Sequence, residues 1–198
     1  MTLLVGITGG IGSGKSTLSN QLLKKKLKLF DSDKVVSLLY SKPPASFLKH
    51  LKLIGLDEAV KGKKINKKSI SNIIFDDFEI KTQLQNFIFK YVRKQRLIFI
   101  QKEKRKKTKI IFFDIPLLFE NRLEKQFDIL ISIISSKKNR FQRLKKHKKM
   151  KKKLFVKIIN SQTTDVTRKA KSDIVIYNNS TMEDYLKKIN ITINNFGL

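Results

Sequence analysis

The sequence contains no cysteine, and it has no apolar run long enough to cross a membrane. The absence of cysteine excludes disulfides and thiolate metal sites and is typical of a protein in a reducing cytoplasm. The N-terminus also lacks the charged and then apolar pattern of a signal peptide. We therefore expect a cytoplasmic protein without a membrane partner, and no cleaved leader before the apolar segment that begins at Leu3.

Acidic residues are scarce as well, with 16 Asp and Glu against 44 Lys and Arg and a formal net charge of +28. Such an excess occurs in nucleic-acid-binding proteins, where basic side chains neutralise phosphates. It also occurs on lysine-rich surfaces without that function. Here lysine far outnumbers arginine, is spread along the chain and accompanies no recognisable nucleic-acid module. We predict weak, non-specific binding to polyanions at low salt and no specific nucleic-acid partner.

The most informative motif is G-G-I-G-S-G-K-S-T at residues 9–17, which completes the phosphate-binding pattern G-x-x-x-x-G-K-[ST]. An apolar segment at residues 3–8 predicts a buried strand before it. Leu18, Leu22 and Leu23 recur at helical spacing after it, which predicts a helix. Glycines let backbone N–H groups turn toward a polyphosphate, and the helix N-terminus adds positive partial charge.

The motif therefore predicts a nucleoside triphosphate site, and we expect six residues to bind ATP: Gly12, Ser13, Gly14, Lys15, Ser16 and Thr17. The ammonium group of Lys15 would reach the β- and γ-phosphates, and the hydroxyl of Ser16 would bind Mg²⁺. The alternative is a chance glycine turn followed by a capping serine. The strand and the helix on either side of the motif favour the nucleotide site.

The remaining patterns predict an α/β fold with a doubly wound parallel sheet. Nearly continuous apolar runs predict strands at residues 109–114, 128–134 and 173–177, in addition to short strands at 3–8 and 28–30. Residues 34–40 predict a helix. Residues from about 45 to 107 are predicted to be a helical insert without strands. A very basic stretch within residues 137–162 predicts a lid, and the whole chain is expected to form a single domain.

Two aspartates follow predicted strands, at the carboxyl edge where ligands bind in such sheets. Asp33 is a candidate for the carboxylate that phosphoryl transfer to an alcohol needs near the attacking hydroxyl. It is equally a candidate helix N-cap, although Ser32 or Asp31 fits that role as well. Asp114 is a candidate for the Mg²⁺ shell, and its alternative is a turn residue before a proline.

Two further charged residues are less clearly defined by the sequence. Arg143 lies in the basic stretch and is a candidate for contact with the transferring phosphoryl group. The alternative is a solvated charge, although arginine is scarce in this chain. Glu120 is a candidate site residue or a simple ion-pair partner of Arg122 or Lys125.

In their order along the chain, these motifs resemble the dephospho-CoA kinase family from Leu3 to about Asn179. The resemblance rests on residues 6–17, Asp31-Ser32-Asp33, Asp114-x-Pro116-Leu117-Leu118-Phe119-Glu120, Gln142-Arg143-Leu144, Gln162, Arg168, Asp173 and Asn178. It implies a P-loop kinase that phosphorylates the ribose 3′-hydroxyl of dephospho-CoA with ATP, the last step of coenzyme A synthesis.

The resemblance also implies roles for single residues. Asp33, Lys15 and Arg143 are expected to be catalytic, with Asp33 as the general base. Asp33, Leu117 and Glu120 are expected to contact the substrate, and the helical insert (about 45–107) is expected to bind the acceptor. Mg²⁺ is the expected cofactor, ATP and dephospho-CoA are the expected partners, and the chain is expected to be a monomer or a weak homo-oligomer.

The chain departs from the family pattern at three places. Phe89-Lys90 stands where a His-Pro pair is usual, and Lys61-Gly62 with Lys67 stands for an Asp-Gly and a following Arg. His147 replaces an arginine four residues after Arg143. The first two departures concern acceptor contacts and the third concerns the transferring phosphate. None touches the phosphate-binding motif or Asp33, so we expect an active kinase.

Overall fold

The computed structural model describes residues 1–197, which divide into two compact units. The first unit contains Met1–Phe30 and the chain from Glu103 onward, and the second contains Asp31–Lys102. The second unit therefore starts before the predicted insert and includes the helix predicted at residues 34–40. Each unit has its own hydrophobic core.

A central sheet organises the first unit. Its strands are β1 (Leu3–Gly9), β2 (Lys28–Asp31), β5 (Ile110–Asp114), β6 (Ile129–Ile134) and β7 (Ile174–Tyr177), in the spatial order β2-β5-β1-β6-β7. Strand β1 pairs in parallel with β5 and β6, and β6 pairs in parallel with β7. The predicted parallel α/β sheet is confirmed. Ile7 lies opposite Asp114, so the end of β5 lies beside the last residues of β1.

The helices of the first unit pack against this sheet or extend from it. They are α1 (Lys15–Lys24), α6 (Lys137–Lys148), α7 (Lys152–Asn160), α8 (Asp165–Ala170) and α9 (Met182–Asn194). None of the helices within residues 1–197 is long and apolar enough to cross a membrane.

Side chains of β1 alternate between the two faces of the sheet, as a strand requires. Val5 and Ile7 are fully buried in a cluster that includes Leu18 of α1 and Tyr185 of α9. Between them, Gly6 faces the other side, where a Cβ would lie only 2.9 Å from a methyl carbon of Leu130. Strand β1 is thus buried on both faces, which explains its continuous apolar sequence.

The second unit is mainly helical. It contains α2 (Ser32–Ser41), α3 (Ala45–Leu53), α4 (Lys67–Asp76) and most of α5 (Phe78–Arg105). Its core is formed by buried residues of these helices and of the loops between them: Leu39, Phe47, Leu51, Ile54, Leu56, Ala59, Ile70 and Leu84.

The prediction that this region lacks strands is wrong. Strands β3 (Val60–Lys61) and β4 (Lys64–Ile65) form a small antiparallel hairpin. Gly62 in its turn has a φ of 60°, in the left-handed region that glycine adopts without steric cost. Two-residue strands are too short to produce an alternating pattern, so no periodic signal marks them in the sequence.

Candidate active site

The phosphate loop (residues 9–17) joins the end of β1 to the first turn of α1. Gly14 precedes α1 with a φ of 103°, and a Cβ there would lie 2.2 Å from Nδ2 of Asn178. That nitrogen donates to the carbonyl of Ser13 at 2.8 Å. Glycine is therefore required at position 14, both for the backbone angle and for the space.

The N-terminus of α1 is open to an anion. No side chain within residues 1–197 caps this helix. The N–H of Thr17 donates to the carbonyl of Gly14 at 2.9 Å, and the N–H groups before it keep their capacity to bind a phosphate. The buried Tyr185 donates its hydroxyl to the carbonyl of Gly14 at 3.0 Å and fixes the loop from behind. Burial raises the pKa of Tyr185, although nearby Arg143 opposes the increase, and the hydroxyl stays a donor at neutral pH.

Lys15 and Asp114 meet at the carboxyl edge of the sheet. The ammonium group of Lys15 forms an ion pair with Oδ1 of Asp114, whose side chain is 7% exposed. The other carboxylate oxygen accepts a hydrogen bond from the hydroxyl of Ser19 at 2.6 Å. Both oxygens of Asp114 are thus bound by residues of α1, while Ser16 of the same helix is exposed.

Arg143 of α6 lies against the phosphate loop. Its Nη1 contacts the hydroxyl of Ser135 at 3.0 Å and the carbonyl of Gly12 at 3.4 Å. Its Nη2 donates to the backbone and side-chain oxygens of Asn178 at 2.8 and 3.0 Å. Burial lowers the pKa of Arg143, with Tyr185 opposing the decrease, but a guanidinium remains charged at neutral pH. The structure therefore brings together the loop, Lys15, Asp114 and Arg143.

Asp33 lies in the first turn of α2, in the second unit. The N-cap of this helix is Asp31, whose Oδ1 accepts from the N–H of Lys34 at 2.9 Å. The sequence left open which of three residues would cap the helix, and the structure assigns that role to Asp31. The capping interpretation of Asp33 is therefore not required to explain the start of α2.

Leu117 and Glu120 follow β5, where substrate contacts were predicted. Leu117 is 40% exposed, whereas its neighbour Leu118 is fully buried. The sequence offered an ion pair of Glu120 with Arg122 or Lys125 as an alternative, and the structure does not show it. Oε1 of Glu120 accepts from Nη2 of Arg168 at 3.1 Å and from the N–H of Thr163 at 2.7 Å.

The structure describes all the positions that depart from the family pattern. His147 is exposed in the last turn of α6, and Phe89 and Lys90 are exposed on α5. Lys61 ends β3. Lys67 begins α4, and its ammonium group lies 5.0 Å from the centre of the Tyr40 ring, a cation–π contact.

Several side chains that contact the loop or its helix were not predicted to do so, including Ser19, Arg140, Gln162, Asn178 and Tyr185. Ser19 binds Asp114, and its position four residues after Lys15, on the same face of α1, was an available signal. Arg140 binds the carbonyl of Ile11 at 2.8 Å. Arginine is scarce in this lysine-rich segment, and that was the only sequence signal for Arg140.

A parallel sheet whose first strand leads through a glycine-rich turn into an uncapped helix defines a P-loop nucleotide-binding fold. Dephospho-CoA kinase from Campylobacter jejuni has a similar solved structure, with a TM-score of 0.74 at 24% identity, covering 99% of this chain and 98% of that one. The lysine–aspartate pair at the loop is consistent with a kinase of this class.

Sequence comparisons identify the family. The family model for dephospho-CoA kinase matches residues 3–184. The dephospho-CoA kinase of Fusobacterium nucleatum is 35% identical over 188 residues, covering 94% of this chain and 95% of that protein. The enzyme of Rickettsia typhi is 33% identical over 193 residues, covering 98% and 97%. The chain belongs to the dephospho-CoA kinase family, whose members are ATP-dependent phosphotransferases.

Proposed function

We propose that this chain transfers the γ-phosphoryl group of ATP to the ribose 3′-hydroxyl of dephospho-CoA and releases coenzyme A and ADP. The bond from the 3′-oxygen to the γ-phosphorus forms, the bond from that phosphorus to the β,γ-bridging oxygen breaks, and the hydroxyl proton passes to a base. The observation that carries the proposal is the phosphate loop, with Lys15 paired to Asp114, in a chain that matches the family from residue 3 to residue 184.

The donor side of the site is formed by the phosphate loop. The open N-terminus of α1 provides N–H donors, and Lys15 provides a positive charge for the β- and γ-phosphates. Because Asp114 holds Lys15 at the carboxyl end of β5, the ammonium group is already oriented when ATP arrives. Such preorganised charge stabilises the negative charge of the phosphoryl group in the transition state.

The residues present fit a magnesium ion bound mainly through the nucleotide. Within residues 1–197 there is no group of three His, Cys, Asp or Glu side chains that would form a protein cage. Mg²⁺ keeps several waters and uses few protein ligands beside substrate phosphates. The exposed hydroxyl of Ser16 would be one ligand, with Asp114 near the shell. When bound, the ion supplies charge neutralisation of the phosphate oxygens.

On the acceptor side, we assign the general base to Asp33. Asp31 already caps α2, so the carboxylate of Asp33 is not needed for that purpose. Leu117 is exposed enough to contact a substrate. The contacts of Glu120 favour a role in holding the segment that follows α7, and direct substrate binding by Glu120 stays a prediction.

We assign a closing role to the basic segment (residues 137–162), which contains α6 and α7. The charged guanidinium of Arg143 contacts the carbonyl of Gly12, beside the proposed site of the phosphates. A guanidinium there would stabilise the transferring phosphoryl group, and closure of the segment would exclude water. The cytoplasmic location and the monomeric or weakly oligomeric state remain predictions of the sequence.

A coupled assay of ADP release tests the proposed function. Dephospho-CoA is compared with shikimate, adenosine and deoxyadenosine, with the Lys15→Ala variant as the control for contaminating kinases. We expect turnover with dephospho-CoA alone, and NMR of the product should show a phosphate on the 3′-oxygen. Turnover of another alcohol without turnover of dephospho-CoA would reject the proposal.

A further inference from the structure

The backbone of Ile11, which precedes Gly12 in the phosphate loop, is held at both of its polar groups. Its N–H donates to Oε1 of Gln162 at 3.0 Å, and its carbonyl accepts from Nε of Arg140 at 2.8 Å. Arg140 lies in α6, and Gln162 follows α7. The two ends of the basic segment therefore meet the loop at a single residue.

Arg140 is one of the most deeply buried charged residues in the described chain, with 2% of its surface exposed. Its guanidinium lies directly against the loop, since a Cβ on Gly10 would lie 2.2 Å from Nη2 and 2.6 Å from Cζ. Burial lowers the pKa of Arg140 and Arg168 adds to the decrease, while Asp165 opposes it. An arginine nonetheless remains protonated at neutral pH.

A chain of charged groups continues from Arg140 away from the loop. Nη1 of Arg140 contacts Oδ2 of Asp165 at 3.3 Å, and Oδ1 of Asp165 accepts from Nη1 of Arg168 at 3.0 Å. Nη2 of Arg168 then binds Glu120 at 3.1 Å. Asp165 thus lies between two buried arginines and fixes the direction in which Arg140 points.

The geometry of the peptide bond links the contact between Arg140 and the carbonyl of Ile11 to the direction of the next N–H group. In a trans peptide the C=O and the following N–H point in opposite directions. Because Arg140 holds the carbonyl of Ile11, the N–H of Gly12 points away from Arg140. Gly12 has a φ of 72°, in a region where glycine adopts several backbone conformations, and the contact from Arg140 restricts which of them the Ile11–Gly12 peptide takes.

We propose that Arg140, oriented by Asp165, is a positioning residue that sets the direction of the Gly12 N–H for binding the phosphates of ATP. The inference rests on the proposed function to the extent that ATP is the ligand of the loop. Arg140 acts through the backbone and makes no contact with the phosphates itself. Without Arg140, part of the free energy of nucleotide binding is used to order the loop, so the affinity for the nucleotide falls.

Three variants test the role of Arg140. Arg140→Met keeps the length of the side chain but removes every donor, Arg140→Lys keeps the charge with a single donor group, and Asp165→Asn removes the charge that orients Arg140. Lys171→Met is the matched control, because it breaks an ion pair with Glu124 in the same unit without contacting the loop. The dissociation constants of ATP and ADP are measured by calorimetry, and the KM values of both substrates by the coupled assay.

We expect Arg140→Met to raise the dissociation constants of ATP and ADP about tenfold, since a hydrogen bond from a charged donor is lost. Arg140→Lys is expected to recover part of the affinity, and Asp165→Asn to weaken binding about threefold. The KM for dephospho-CoA should stay within about twofold, and amide exchange at Gly12 should become faster. Lys171→Met should leave all these values unchanged.

Equal losses of affinity for ATP and dephospho-CoA, or no change in either, would overturn the proposal and leave Arg140 as a purely structural residue. If Arg140→Met does not fold, Asp165→Asn decides, and unchanged ATP binding in that variant overturns it. A failure of the proposed function can be distinguished from a failure of this inference about Arg140. A wild-type chain that binds ATP without using dephospho-CoA rejects the function, while the binding measurements still test Arg140.

Discussion

Lys15 and Asp114 form an ion pair that links the phosphate loop to the end of β5, between residues far apart in the sequence. The pair fixes the ammonium group at the open N-terminus of α1. A cation held in this way stabilises charge on a transferring phosphoryl group without reorganising during the reaction.

We expect Lys15→Ala to lower kcat by about 10²–10³-fold, because one preorganised contact to the developing charge is lost. Steady-state kinetics with ATP and dephospho-CoA measures the effect. Lys24→Ala, at the last residue of the same helix, is the matched control and should retain full activity. Near-normal activity of Lys15→Ala would mean that the loop does not bind the phosphoryl donor.

For Asp114, the expected effect appears in the magnesium dependence. Asp114→Asn keeps the shape and a hydrogen bond to Ser19 but removes the negative charge. The Mg²⁺ concentration at half-maximal rate should rise by about 10-fold or more, as is usual when a group that orients a metal ligand is lost. Ser19→Ala is the control for the hydrogen bond alone. An unchanged magnesium dependence in Asp114→Asn would limit Asp114 to holding Lys15.

A comparison of Asp33→Asn with Asp31→Asn separates catalysis from helix capping. The amide at position 33 cannot take the proton of the ribose hydroxyl, so kcat should fall by roughly 10²–10⁴-fold with little change in ATP affinity. Asp31→Asn should change kcat little, because asparagine also caps helices. Equal and mild effects in both variants would contradict the assignment of Asp33 as the base.

Glu103 should make the free energy of unfolding depend on pH in the acid range. Its buried carboxylate accepts from Lys106 at 3.1 Å and from Thr108 at 3.0 Å. Burial alone would raise the pKa of Glu103 from its ordinary value of 4.5, but these hydrogen bonds, together with the positive charges of Lys106 and Lys28, outweigh burial and lower the pKa. The stabilisation is therefore fully present above the unfolded-state pKa and is lost as the pH falls through the lower folded-state pKa.

Glu103→Gln should accordingly lower the free energy of unfolding near neutral pH by about 1–3 kcal/mol, and the difference from wild type should shrink in acid. Urea unfolding at several pH values measures it. Glu183→Gln removes an exposed ion pair with Lys187 and should show almost no effect at any pH. A difference that grows as the pH falls would contradict the direction of the pKa shift.

The excess of lysine should produce only non-specific binding to nucleic acids. Fluorescence anisotropy with two unrelated DNA sequences should give equal affinities, which fall by about tenfold or more between about 50 and 200 mM salt. Counterion release causes this dependence, since the contacts are to phosphates rather than to bases. Tight and sequence-selective binding at physiological salt would instead indicate a nucleic-acid function.

Much of the fold was predictable because its signals are local. The apolar runs of β1, β5 and β6 identify strands buried on both faces, and the parallel sheet follows from them. The hairpin of β3 and β4 was missed, since two-residue strands leave no periodicity.

The sequence by itself determined the phosphate loop, because a glycine at position 14 and a lysine at position 15 must be adjacent in the chain to build it. The tertiary structure alone decided what holds that loop. Asp114, Arg140 and Gln162 reach it from distant segments. The position of Asp114 after a predicted strand indicated that it lies near the site, but not that it pairs with Lys15. Such contacts depend on how strands and helices pack, and spacing along the chain does not specify them.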